Sequence, residues 1–464
     1  KSLISSSDIK DMRIDIKFMD WEKLTRFRNI AMENGIISKN EKEYVNASIL
    51  FDGKRRDIKL RLKGDWTDHL LGEKWSFRVK VKKKKYIDGL RVMSLQNPQT
   101  RDYQGLVIIN KMLREYNIIV PRESFVNVIV NGNDIGIMAL TEHFNKELLE
   151  SSGRKESVII KFDESSLWES RLNKKLHDQN EYRAKIVPFQ SKKLKKNKKL
   201  SKDFEIAAGL LRGFLNEKLM AHDVFDVKLM GEFLAIHDLW GDGHGLIWHN
   251  LRFYYNPLTA KLEPIAFDEL LYHANKGVSS SGFAKRLKNN QYISLVYVNT
   301  LKKLQQKIKN TEYLVKYIEL DNKYETLLRS EFWLKPPPLM KNKKLSERID
   351  LILDGYSDSI VHKSPESNNI GWAVNTKETS DIVNLYSENN EDRTNTIRAN
   401  QYVSEFYRYG LSNLGLKDAY HGYNMRESQD IVDSNRIKVS KSNLMLIESA
   451  NLDKFHKLVN IFLV

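Results

Sequence analysis

The 464-residue chain contains no cysteine, which excludes disulfides, thiolate nucleophiles and Cys-based zinc sites. That absence suits the cytoplasm and equally a compartment where free thiols are a liability, so it does not place the protein. No apolar run approaches 18 residues, the length from which a membrane-spanning helix is read. Neither GxGxxG nor GxxxxGK[ST] occurs, so the familiar glycine-rich phosphate loops are missing. Acid is in deficit: 76 Lys and Arg face 60 Asp and Glu, a net charge of +16. The excess is clustered. Lys82–Lys85 is unbroken, and residues 191–202 (SKKLKKNKKLSK) hold seven lysines and no acid. These runs lack the interleaved aromatics that stack bases, and no nucleic-acid-binding fold accompanies them, so no specific nucleic acid is expected. An acidic or Ser-rich protein substrate, an anionic polymer or a membrane surface suits such charge. So does a solvated surface loop, and residues 191–202 read as a mobile one that adds nothing to folding.

What is present is polar and ample. Hydrophobic residues make up 41% and mean hydropathy is −0.51, as in a soluble protein of two to three domains. The richest stretch is residues 231–268, GEFLAIHDLWGDGHGLIWHNLRFYYNPLTAKLEPIAFD. Phe233, Leu234 and Ile236 predict a helix that breaks at Gly241-Asp242-Gly243-His244-Gly245. Two strands follow, Leu251 to Tyr255 and Leu262 to Phe267, joined by a turn at Asn256-Pro257. Asp242 in a loop, Asn250 eight residues on, and Asp268 ending the second strand are the residue types a phosphoryl-transfer centre needs. One carboxylate takes the proton of the attacking hydroxyl, while an Asn and another Asp hold Mg²⁺ against the phosphates. The spacing differs from ordinary protein kinases, where the Asn follows by five, and no DFG is present, since Glu269-Leu270 follows Asp268. The plain alternative is a turn-forming Asp242 and a core His249.

Upstream, alternation in Ile58, Leu60, Leu62 and then Phe77, Val79, Val81 predicts two strands joined by a glycine-containing loop. Lys63, Lys74 and Arg78 are the cations nearest that loop, placed to meet phosphates or to form an ordinary basic hairpin. Asn97 to Arg101 (NPQTR) is a turn with a basic residue. Leu106–Tyr116 has helical spacing, Phe125 to Val130 reads as a buried strand, and Asn131-Gly132-Asn133-Asp134 as a hairpin turn leading to Glu142. Val158-Ile159-Ile160 delivers Lys161. Lys161 and Glu142 make either the ion pair that orients ATP phosphates or a surface salt bridge.

The order of four segments resembles the spore-coat CotH kinase family, bacterial atypical protein kinases that use ATP and a divalent metal. The segments are KWSFRVKV (74–81), VPRESFVNVIVNGNDIGIMALTEHF (120–144), SVIIKFDE (157–164) and WGDGHGLIWHNLRFYYNP…LEPIAFD (240–268). The resemblance covers about residues 10–275, with a helical tail to about 355. It implies Asp242 as catalytic base, Asp268 and Asn250 at the metal (Mg²⁺ or Mn²⁺), and Lys161 on the ATP phosphates with Glu142 as its partner. Two positions depart from the family: Leu270 stands where an Asx is frequent, and Asp65-Trp66-Thr67 follows Gly64 in place of serines. They leave open a catalytically inactive scaffold that binds acidic partners or anionic polymers through its lysines. The wording KGDWTDHL…KWSF is similar to a longer subgroup preceded by a membrane-anchoring helix, which implies a tethered, extracytoplasmic setting. The chain opens on Lys1 rather than Met and closes on NIFLV, so a larger protein around it is expected.

The expected fold is α+β: an atypical protein-kinase-like two-lobed domain over residues 1–360 and a β-rich accessory module over 361–464. The N-terminal β-rich lobe spans about 1–165 and the C-terminal helical lobe about 205–360. Periodic residues 292–334, a stiff break at Pro336-Pro337-Pro338 and a short helix at Leu345–Leu353 close the first part. Short strands are expected at Ile370–Val374, Ile382–Leu385, Ile437–Val439 and Leu444–Ile447 in the second. The expected activity is ATP- and Mg²⁺-dependent phosphorylation of Ser/Thr hydroxyls on a protein substrate.

Overall fold

The computed structural model describes residues 9–83, 85–173, 180–271, 282–332, 342–361, 437–439 and 445–447. The chain divides into two compact units, Lys1–Ser357 and Asp358–Val464. In the first, seven strands close into a barrel: β1 (Asp11–Ile16), β2 (Val45–Phe51), β3 (Lys54–Leu62), β4 (Phe77–Val81), β5 (Val92–Gln96), β6 (Glu123–Val130) and β7 (Asn133–Glu142). The order is β1-β2-β3-β4-β5-β7-β6, and a parallel pairing of β1 with β6 completes the ring. Alternation does the work. Ile58, Leu60 and Leu62 of β3 and Phe77, Val79 and Val81 of β4 point into the barrel core with Met12, Ile14 and Met93. The α+β class is as expected. The strands nevertheless form a closed barrel and not the open sheet of a small kinase lobe, because β1 supplies the closing edge that the hydrophobic pattern of the later strands does not reveal. Helix α1 (Phe18–Asn34) links β1 to β2 and buries Leu24, Phe27 and Ala31 against that core.

Helix α2 (Gly105–Glu115) leaves the barrel between β5 and β6. After β7 come α3 (Lys146–Ser151), β8 (Ile159–Phe162), α4 (Ser165–Leu172), β9 (Ile186–Pro188), α5 (Ser191–Leu194), α6 (Lys198–Leu215) and α7 (Ala221–Val224). Then follow α8 (Val227–Trp240), β10 (Arg252–Asn256), β11 (Lys261–Ile265), α9 (Gly282–Lys288), α10 (Gln291–Lys309), α11 (Thr311–Arg329) and α12 (Asn342–Val361). Strands β11-β10-β8-β9 make a second sheet. Helix α8 is buried from Leu229 to Trp240 and lies within the larger core, packed by Ile293, Tyr297 and Leu301 of α10. Among the described residues, no helix is long and apolar enough to cross a membrane.

Residues 191–202 depart from the expectation. They form α5 and the start of α6, with Leu194 and Leu200 buried in the larger core. Asn197 caps α6 by accepting from the Lys199 and Leu200 amides at 3.1 and 3.2 Å. The lysines face solvent while two leucines anchor the segment. In the second unit, β12 (Ile437–Val439) pairs antiparallel with β13 (Met445–Ile447). The bursts at Ile370–Val374 and Ile382–Leu385, and Pro336-Pro337-Pro338, lie outside the described residues.

Candidate active site

Three pieces of chain meet beside the barrel. One is the β3–β4 connection. Gly64 sits at φ 123 with His69 so close that a Cβ would lie 2.3 Å from the imidazole, so the sharp turn needs glycine. Lys63, on the outward row of β3, reaches Arg101 there: its amine and the Arg101 guanidinium share the Gln96 carboxamide oxygen, Lys63 Nζ at 3.2 Å and Arg101 Nε at 2.7 Å. Arg101 comes from a short 3-10 turn started by Asn97 and Pro98, where the Asn97 side chain accepts from the Gln99 amide. Arg78 on β4 faces Arg61 on β3 in register.

The second piece is the turn after β11. Asp268 adopts a left-handed φ of 66, an outlier of the sort that concentrates at functional positions. Its carboxylate pairs with Arg101 and lies 3.4 Å from His244 Nδ1. His244 Nδ1–H also donates to the Asp268 carbonyl at 2.7 Å. Asn250 is buried, and its Nδ2 donates to the His244 carbonyl at 3.0 Å. The Asn250 oxygen is therefore the atom a cation could take.

Asp242 follows α8 and is fully buried. Its Oδ1 accepts from the Gly245 amide at 3.0 Å and the Leu270 amide at 3.1 Å, tying the glycine loop to the Asp268 turn. A Cβ on Gly245 would press Oδ2 at 2.6 Å, so glycine is required for this approach. Oδ2 faces His237 Nε2 at 3.3 Å. His237 Nδ1–H donates to the Phe233 carbonyl at 2.8 Å, which leaves Nε2 as a bare lone pair. Burial raises the Asp242 carboxyl to about 7 and lowers His237 to about 4. One proton on Oδ2 satisfies both atoms. Burial, with Asp242 nearby, raises Glu269 well above the carboxylate range.

The third piece is the second sheet. Lys161 on β8 lies opposite Arg252 on β10. Lys161 pairs with Glu164 at 2.7 Å. Burial alone would raise Glu164, but Lys161 and Arg252 outweigh it and hold the group low. Arg252 stacks 4.5 Å from the Phe267 ring. Glu142, the partner implied for Lys161, pairs instead with Arg122 at 2.8 Å. Its position at the end of β7 sets it opposite Met93 and beside the Arg122 amide, which also donates to it. Lys74 is likewise engaged elsewhere, bound to Glu331 at 2.7 Å and to the Ile137 carbonyl at 2.9 Å.

The cations that remain have too few anions. Burial lowers Lys63 well below its ordinary value, helped by Arg101 and Arg78. Burial and Arg61 bring Arg78 down to about 9, and burial brings Arg252 to about 10. His143 is pushed well down by burial and by Arg78, Arg61 and Lys63. Arg78 Nε and Nη1, Arg252 Nε and His143 Nδ1 are shielded from water with no hydrogen-bond partner. Desolvated donors in this state are a site for an anion rich in oxygens, such as a polyphosphate. No group of three His, Asp or Glu side chains among the described residues could hold a metal unaided. Mg²⁺ held mostly by phosphate and water needs one or two protein carboxylates, and Asp268, with the Asn250 oxygen beside its turn, could offer such a site.

Arg101, Arg252, His143, His237, His244 and Glu164 were not picked out as site residues from sequence. For Arg101 a signal existed: a proline-stiffened, Asn-capped turn ending in a cation. The histidines carry none, since their roles follow from tertiary approach.

Residues 60–332 match the family described as CotH kinase protein. No curated protein matches the chain.

Proposed function

Because the chain belongs to the CotH kinase protein family, we propose that it is an ATP- and Mg²⁺-dependent phosphotransferase acting on Ser/Thr hydroxyls of a protein. The observation that carries the reading is the set of shielded, anion-poor guanidinium donors on Arg78 and Arg252, together with the Asp268–Asn250 turn. Lys63, Arg78, Lys161 and Arg252 would bind the phosphates, and Asp268 with the Asn250 oxygen would hold the cation. When bound, Mg²⁺–ATP supplies the transferable phosphoryl group and neutralises its charge. Arg101, paired with Asp268, would have to release it for a cation to bind there, and could then meet phosphate. Asp242 Oδ1 would keep the loop against the Asp268 turn, while Oδ2, on a carboxyl raised to about 7, would accept a hydroxyl proton in its ionised form, once the proton shared with His237 has left. His237 Nε2 stands behind it at 3.3 Å. Preorganised charge and position supply the rate. The two-lobed organisation belongs to the same proposal, with the barrel in the place of the small lobe.

One observation favours a second reading. Arg101 already neutralises Asp268, as suits a phosphate-binding scaffold without turnover. Thermal melts with ATP, with and without Mg²⁺, test both. Nucleotide at 100 times its dissociation constant should stabilise the fold by about 2.7 kcal/mol. Asp268→Ala should abolish the Mg²⁺-dependent part. Asp242→Asn should keep nucleotide binding and lose turnover by about 10²-fold or more. A Mg²⁺-dependent shift without transfer to any hydroxyl would leave the scaffold, and no shift with any nucleotide would sink the phosphotransferase reading.

A further inference from the structure

The outer face of β3 and β4 carries a pattern that barrel stability does not explain. Lys59, Arg61 and Lys63 alternate outward along β3 and its continuation, while Arg78, Lys80 and Lys82 do so along β4. The register sets Lys59 directly opposite Lys80 and Arg61 directly opposite Arg78. Like charges facing across an antiparallel pair are destabilising. Lys59 and Lys80 are exposed and have no carboxylate partner among the described residues. Lys82 donates to Asn46 at 2.7 Å. Two acids lie by the stripe and are already engaged, Asp57 with Lys83 at 3.3 Å and Asp65 with Lys42. The inner end of the stripe is Lys63, which shares Gln96 with Arg101 and through it reaches Asp268. The stripe thus runs from open solvent to the mouth of the candidate site.

We propose that this face docks the acceptor: an acidic, extended protein segment whose carboxylates meet the Lys59–Lys80 rung and then Arg61, and whose hydroxyl-bearing residue lies at the Asp268 end. Successive rungs are about 6.6 Å apart, the repeat of every second residue in an extended chain. An acid–x–acid spacing therefore matches the track, with the acceptor hydroxyl a few residues beyond. Among the described residues the rung cations meet one ring, the partly exposed Tyr44, with Arg61 5.4 Å from its centroid, and a single ring is too few to stack successive bases. Peptide is favoured over single-stranded nucleic acid. The direction of the track rests on the phosphotransferase reading; the docking itself does not.

The test is Lys59→Glu/Lys80→Glu in the full chain, with Lys59→Arg/Lys80→Arg as rescue. Both positions lie outside the nucleotide site and oppose like charges, so the melting temperature should hold or rise. A labelled (Glu-Ser)-repeat peptide is followed by anisotropy across a salt series and, in parallel, as phosphate acceptor beside an uncharged Ser peptide. Charge reversal should weaken binding and raise KM for the acidic peptide by roughly tenfold or more, flatten the salt dependence, and leave kcat and the uncharged peptide unchanged. The arginine pair should restore wild-type values. Equal binding by the wild type and the reversed variant overturns the proposal, as does an oligonucleotide of matched charge displacing the peptide at lower concentration. Lys59- and Lys80-dependent binding without phosphate transfer would uphold the docking face and defeat the catalytic reading. Transfer to the uncharged peptide with no acidic preference would do the reverse.

Discussion

Asp102 and Glu123 show how single carboxyls set the response of this protein to pH. Asp102 holds a left-handed φ of 54 and accepts from the Leu271 amide at 2.9 Å. Glu123 accepts from Asn110 at 2.7 Å through Oε1, while Oε2 has no partner. Burial raises each to about 7. A carboxyl whose folded pKa exceeds its unfolded value contributes stability that is complete below about pH 4 and lost as pH rises through about 7. These two groups therefore favour a higher melt at pH 5 than at pH 8, against His143 and His237, whose lowered values favour the reverse. Asp102→Asn and Glu123→Gln should each flatten that slope and raise the melting temperature at pH 8, since neither amide carries the charge that burial penalises. Asn also tolerates the left-handed backbone. A pH profile unchanged in both variants would show that other groups set it. At this scale the sequence singles out Asp242, Asn250 and Asp268, and the structure links their segments through the Leu270 amide and His244. It was silent on which oxygen of Asp242 meets His237, because that depends on the helix bringing Phe233 and His237 one turn apart beneath the loop.

Elements were the most legible level wherever apolar periodicity was clean. The strands around Ile58, Phe77 and Phe253 and the helix through Phe233 lie where alternation and helical spacing put them, because each has one face or all faces in a core. The lysine-rich segment defeated the same reasoning. Seven lysines suggested a repelling, unpacked loop, yet Leu194 and Leu200 are buried and Asn197 starts a helix between them. Leu194→Ala or Leu200→Ala should destabilise by about 2–5 kcal/mol, the usual cost of a buried leucine, and Asn197→Ala by about 1 kcal/mol through its cap. Replacing the exposed Lys195, Lys196, Lys198 and Lys199 by Ser should leave the melt nearly unchanged. Chemical denaturation of the two sets separates the anchors from the charges; equal losses in both would mean that the lysines also support the fold.

Across the first unit, distant segments are fastened by a few polar contacts that no local pattern announces. Glu331, just beyond α11, accepts from the Ile137 amide at 2.7 Å and pairs with Lys74 at 2.7 Å. A helix end is thereby joined to β7 and to the loop before β4. Glu331→Ala should strand the Ile137 amide and remove the Lys74 counter-charge, at a cost of about 1–3 kcal/mol, whereas Glu331→Gln, which can still accept from Ile137, should cost less. Melting curves that do not distinguish the two variants would show the clasp to be incidental. The closing of the barrel has a consequence of a different kind. Asp11 pairs with Asn127, a separation of 116 residues, so on the ribosome the first strand emerges long before its partner exists. At about 5–20 residues per second, β1 waits roughly 6–23 s with one flank unpaired. Over that interval the newborn chain offers an open strand to chaperones, or to neighbouring copies of itself, and only the arrival of β6 withdraws it.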